Sequence, residues 1–164
     1  MANEKDEIAR KKYEDNLKYL YFSRYLMLRY SVTAYLFTNI FWLIFSLPYK
    51  KLVGIITAAI MTIFVAIAAI EQLSKMHNHD LDVPITRVYF WIQIIVNVLL
   101  IVLLELPIGK YFFPFVSDQS SKVLILTILL VGIVLACCCE VRIKNIIKGK
   151  DRYAKVITTF KKNN

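Results

Sequence analysis

The chain has 164 residues, 58% of them hydrophobic and 20% charged, more apolar side chains than a soluble core of this size takes up. Four apolar stretches, each of roughly 20 residues, occupy about half of the length, which leaves no room for a separate soluble catalytic domain. The formal charge of +9 lies on residues flanking those stretches, so it points to anionic lipid headgroups as partner and away from nucleic acid.

Residues 1–29 are charged throughout, whereas a cleavable signal peptide needs an apolar run directly after a short basic start. Ile8, Tyr13, Leu17, Leu20 and Tyr21 recur near a 3.6-residue period, and Glu7 with Lys11 and Glu14 with Lys18 stand four apart. This predicts an amphipathic helix. Tyr19, Tyr21, Phe22, Tyr25 and Tyr30 suit the headgroup layer, and the same face serves equally to pack on the end of a bundle or on a partner protein.

Transmembrane helices are expected at 30–47, 52–73, 86–106 and 123–141, giving an all-α, polytopic four-helix bundle in a single membrane domain. The connection from Ser46 to Lys51 contains Pro48 and is short enough to force the first two spans antiparallel. The second connection reads KMHNHDLD; His77, His79 and Asp80 are a candidate divalent-metal cluster, though their spacing matches no closed site and a solvated polar loop is the commoner reading. The third, Pro107 to Ser121, places Tyr111, Phe112, Phe113 and Phe115 around Pro114 and is expected to lie at the outer interface. Residues 142–164 are a basic tail that repeats the amphipathic pattern, with Ile143, Ile146, Ile147, Tyr153, Val156, Ile157 and Phe160 against Lys and Arg, and are expected to form a second amphipathic cytoplasmic helix, bent or interrupted at Gly149.

Of the 21 Lys and Arg residues, seven precede Tyr30, two lie in the second connection and eight follow Val141. The positive-inside rule therefore puts both termini in the cytoplasm of a cell-membrane protein.

Polar groups inside a span are costly and so are informative. Tyr35 and Asn39 stand four apart on the first span, as do Tyr89, Gln93 and Asn97 on the third. These faces are expected to meet and exchange interhelical hydrogen bonds worth about 0.6–2 kcal/mol each; the functional alternative is a polar solute path along them. Gly54, Ala58, Thr62 and Ala66 on the second span, and Gly132 and Ala136 on the fourth, are small residues at intervals of four that allow close helix packing within the chain or between copies. Glu71, Glu140 and Glu105 fall near span ends, where Lys75, Arg142 and Lys110 are the partners nearest in sequence. No carboxylate is central, unlike a proton-coupled small multidrug transporter.

Cys137, Cys138 and Cys139 are consecutive, so on a helix their side chains diverge by about 100° per residue and cannot converge on a metal. They lack the CxxC spacing of four-helix disulfide-forming enzymes and read as small apolar residues in a reducing compartment. The sequence holds no phosphate-binding glycine loop, nucleophile elbow or HExxH motif.

The stretch KYEDNLKYLYFSRYLMLRY, from Lys12 to Tyr30, resembles the opening of small four-helix membrane proteins of Gram-positive bacteria, some of which carry the label of a cellobiose phosphotransferase component. The likeness covers the hydropathy layout and brings no functional residues. That label conflicts with the residues, because such a phosphocarrier is soluble and phosphorylated on histidine, whereas both histidines here lie between spans. The expectation is a non-enzymatic protein without cofactor that acts by association, as an accessory or regulatory subunit of another membrane protein or as a self-associated oligomer. Alternatives are a small transporter or channel and an immunity protein against a membrane-active peptide or toxin.

Overall fold

The computed structural model describes residues 2–78 and 83–162, with side chains at 7, 8, 10–74 and 83–159. Among the described residues there are seven α-helices and no strand: α1 Ala2–Arg24, α2 Leu26–Ser46, α3 Leu52–Asn78, α4 Pro84–Glu105, α5 Gly109–Phe112, α6 Gln119–Ile147 and α7 Arg152–Lys162. Helices α2, α3, α4 and α6 are long and apolar enough to cross a membrane. At 1.5 Å per residue the 21 residues of α2 reach about 31 Å, the thickness of a hydrocarbon core.

Helices of spanning length stand at the four expected places, with shifted ends. Helix α2 begins at Leu26 because the backbone leaves helical geometry at Tyr25, with φ −101° and ψ 1°, a break that a hydropathy window averages away. Helix α6 continues past Val141 to Ile147, since Ile143 and Ile146 are buried and keep the chain helical beyond the apolar run. The turn between α2 and α3 is a 3₁₀ segment, Leu47–Tyr49, closed by Lys50 in the left-handed region.

Helices α2 and α3 pack along their lengths as one antiparallel hairpin, and α4 and α6 as another. The hairpins join along α3 and α4, while α2 and α6 touch only sparsely. At the end of the bundle bearing both termini, the terminal end, Leu28, Val32, Val65, Tyr89, Phe90 and Ile143 are at most 1% exposed. They form a continuous apolar plug between the helices. At the opposite, distal end, α5 wedges against α3 and α4; Gly54 permits this, because a Cβ there would stand 2.7 Å from the Tyr111 carbonyl oxygen.

The buried seam of α3 runs through Gly54, Ala58, Met61, Val65 and Ala68. Thr62 and Ala66 are only half-buried. A strict interval of four advances about 40° around a helix at each step, so it drifts off the contact face, whereas alternating steps of three and four stay on it. Thr62 donates its hydroxyl to the Ala58 carbonyl at 2.7 Å and stays satisfied within its own helix.

The two terminal helices are tied together. Arg24 at the end of α1 donates from Nε to Asp151 Oδ2 at 2.9 Å and from Nη2 to Asp151 Oδ1 at 2.6 Å. Nη2 also donates to the Ile146 carbonyl at 3.0 Å. Both residues are buried. Gly149, at φ +61°, turns the chain between α6 and α7, and Asp151 then accepts from the Ala154 N–H at 3.2 Å at the start of α7.

Candidate binding cleft

Where α2 and α6 separate, a cleft of about 690 Å³ opens in the distal half of the bundle. Its walls are the facing sides of α2 and α6, and its floor is α4. The rim residues Phe41, Phe45, Leu124 and Val131 are each more than half exposed, so the cleft opens sideways, between two helices of membrane-spanning length. At the distal mouth Trp42 stacks on Phe113 with centroids 5.2 Å apart and donates Nε1–H to the Phe112 carbonyl at 3.0 Å.

Tyr111 is exposed at the surface, but Phe113 is 4% exposed and turns inward against Trp42. An aromatic pair stabilises through ring contact as well as buried area, and hydropathy alone does not register the pairing.

The floor carries the polar residues singled out in the sequence. Tyr89 donates to Gln93 Oε1 at 2.7 Å, Gln93 Nε2 to Asn97 Oδ1 at 2.8 Å, and Asn97 Nδ2 to the Leu129 carbonyl of α6 at 3.4 Å. Tyr35 donates its hydroxyl to the Gly132 carbonyl, also on α6, and its ring packs edge-on to Tyr89 at 5.9 Å. The two polar faces therefore meet, and their hydrogen bonds to α6, from Tyr35 and Asn97, end on its backbone carbonyls. Gly132 makes this possible: a Cβ there would stand 2.6 Å from Asn97 Nδ2. Ala136 is fully buried one turn further on. Asn39 is 4% exposed and turns its side-chain amide to the Tyr89 hydroxyl.

The carboxylates find partners in space that differ from their neighbours in sequence. Glu71 caps α4 from across the second connection: Oε1 accepts from the Ile85 N–H at 3.0 Å, and Oε2 from the Thr86 N–H and hydroxyl at 2.7 and 2.6 Å. Gln72 adds a bond to the same hydroxyl at 2.9 Å. Glu140, buried between α4 and α6, stands 3.9 Å from Arg87, while Arg142 lies over the Tyr153 ring. Glu105 pairs with Lys122 at 2.8 Å, not with Lys110. Of the cysteines, Cys137 and Cys138 are exposed and Cys139 is buried, beside Ser31.

The proposed metal cluster lies outside the described residues: His79 and Asp80 are not described, nor is the side chain of His77. Among the described residues no group of three or more His, Cys, Asp or Glu side chains is placed to hold a metal ion.

The Arg24–Asp151 pair and the Glu71 cap were not anticipated from sequence. Asp151 is the sole carboxylate after Glu140, which is a signal that it is placed for a purpose. Pro84 followed by Thr86 marks a helix start, but nothing in the sequence says that Glu71 reaches it. Comparison with known proteins finds no family, no curated protein and no solved structure that matches this chain.

Proposed function

We propose that this chain is a non-enzymatic protein of the cell membrane, with both termini in the cytoplasm, that acts by association inside the bilayer. The observation that carries this reading is the lateral cleft between α2 and α6, a concave surface with apolar walls and an amide floor, the usual make-up of a binding site. The distribution of Lys and Arg supports the orientation, since 17 of the 21 lie on the terminal side. The cleft then opens in the outer half of the membrane. The basic outer faces of α1 and α7, with Lys155 exposed and Ile157 buried, suit an amphipathic collar on the inner headgroups.

The plug of Leu28, Val32, Val65, Tyr89, Phe90 and Ile143 argues for association over conduction, because the polar face ends on it and a solute path has no continuation to the terminal side. Purification of the full chain in mild detergent, followed by mass measurement, tests the reading. A stable complex with another membrane protein, or a defined oligomer, is the expected result. A monomer that carries a solute flux in liposomes would overturn it in favour of transport.

A further inference from the structure

At the terminal end of the α4–α6 hairpin two cations share one carboxylate, and the positive charge left over points to an anionic partner. Arg87 stands in the first turn of α4, which begins at Pro84, while Glu140 and Lys144 are one turn apart on α6. Glu140 is buried. Arg87 Nε lies 3.9 Å from its Oε2, Lys144 is close enough to act on it through charge, and Trp91 turns its indole N–H towards it. Lys144 Nζ lies over the Trp91 ring, 5.6 Å from the centroid. Glu71, the other carboxylate described at this end of α4, is taken up by Ile85 and Thr86. Among the described residues the balance is therefore two positive charges against one negative.

The cluster is layered. The Glu140 side chain is 5% exposed and forms its back, whereas that of Arg87 is 45% exposed and Lys144 and Trp91 are exposed in front. At 3.9 Å Arg87 is held by charge without a hydrogen bond, and among the described residues it makes none, so its fork of N–H donors is open to an acceptor. Trp91 and Ile95 continue the face of Arg87 at steps of four and are 48% and 56% exposed. Cations at the end of a span, above an exposed tryptophan and an apolar row, match the headgroup, interface and acyl layers of a bilayer. An acidic peptide matches the cations alone. A phospholipid supplies a phosphate for the guanidinium and hydrocarbon for the row beneath. Choline or ethanolamine headgroups bring an ammonium of their own against Arg87 and Lys144, which leaves the amine-free anionic headgroups.

We propose that this cluster binds an anionic glycerophospholipid without a headgroup amine, Arg87 and Lys144 taking its phosphate and an acyl chain lying along Trp91 and Ile95. The proposal rests on α4 and α6 spanning a bilayer and is independent of what fills the cleft between α2 and α6.

Trp42 and Trp91 are the two tryptophans of the chain, so the full-length Trp42→Phe protein reports on the cluster through Trp91 fluorescence. It is placed in phosphatidylcholine vesicles into which phosphatidylglycerol or phosphatidylcholine, each brominated on its acyl chains, is titrated. One net charge predicts half-maximal quenching by phosphatidylglycerol at about fivefold lower mole fraction than by phosphatidylcholine. Lys144→Gln, at an exposed position, should erase that preference. Glu140→Gln removes the opposing charge and should raise it about another fivefold. Lys155→Gln takes the same charge from the exposed face of α7 and should leave it unchanged. Equal half-points for the two lipids overturn the proposal and keep the membrane reading. So does an equal loss in Lys144→Gln and Lys155→Gln, which would make the preference a diffuse effect of net charge. A co-purified protein that shields Trp91 from both lipids until Lys144→Gln releases it would give the cluster to that protein and overturn the lipid assignment. Failure of both lipids to quench the partner-free protein would remove the membrane reading and the proposal together.

Discussion

The terminal and distal halves of the bundle draw on the same apolar residue types, yet one is closed and the other open. In the terminal half, directed bonds run from Arg24 to Asp151 and from Glu71 to the start of α4, and Glu140 stands beside Arg87 as a looser ion pair. In the distal half the ion pair between helices is Lys122–Glu105, which joins α6 to α4 and does not draw α6 towards α2. Lipid tails are as apolar as Leu or Ile, so in a bilayer helix closure is decided by packing fit and directed bonds, with little help from the hydrophobic effect. Among the described residues α2 makes no hydrogen bond to α6 on the distal side of Tyr35 and Gly132, and the cleft lies there.

The sharpest way to break this contrast is to remove the terminal tie. Arg24→Met leaves Asp151 buried and unpaired, which is expected to cost about 3–5 kcal/mol. Arg24→Met/Asp151→Leu should recover most of that, because two apolar side chains replace a desolvated pair; a residual cost of about 1 kcal/mol reflects the lost cap of α7. Chemical unfolding in detergent micelles, together with hydrogen exchange across α7, measures both. If the double variant is as unstable as the single, the loss comes from packing and not from the stranded charge.

A smaller effect is expected at the α3–α4 junction. Glu71→Ala frees the N–H groups of Ile85 and Thr86 and should cost about 1–3 kcal/mol, with Glu71→Gln intermediate because one acceptor oxygen persists. Amide exchange at Ile85 and Thr86 is the direct readout. Unchanged protection at both would mean that another group takes over the cap.

The difference between the halves also separates what was legible in the sequence from what was not. The four long apolar helices and the buried character of Tyr35, Asn39, Tyr89, Gln93 and Asn97 follow from local rules: apolar length, and the cost of turning a polar side chain towards lipid. The interval of four on α3 was a weaker guide, because Thr62 and Ala66 rotate off the contact face. Long-range bonds such as Arg24 with Asp151, 127 positions apart, depend on how α1 and α7 fold back, which no local pattern encodes. The cleft was least visible of all. It arises from a missing contact between α2 and α6, and its lining residues carry no motif.

The smallest effect belongs to the distal end, at the start of α6. Asp118 caps this helix, accepting from the Ser121 hydroxyl at 2.6 Å and from its N–H at 3.2 Å, and these two bonds hold its carboxyl below the ordinary value of 3.8. A depressed carboxyl contributes stability in full above its unfolded-state value and loses it as pH falls through the lower folded-state value. The cap is therefore expected to be constant from neutral pH down to about 4 and to weaken below that. Asp118→Asn keeps an acceptor, so it should change neutral-pH stability little while removing this acid-dependent part. Amide exchange at Ser121 and Lys122, compared between wild type and variant from pH 6 to 3, reads the difference. Because the side chain is fully exposed, the change should stay within the first turn of α6 and leave the terminal half untouched. Loss of protection in α7 or at Thr86 over the same range, larger in wild type than in the variant, would instead couple the two halves and undo the contrast between them.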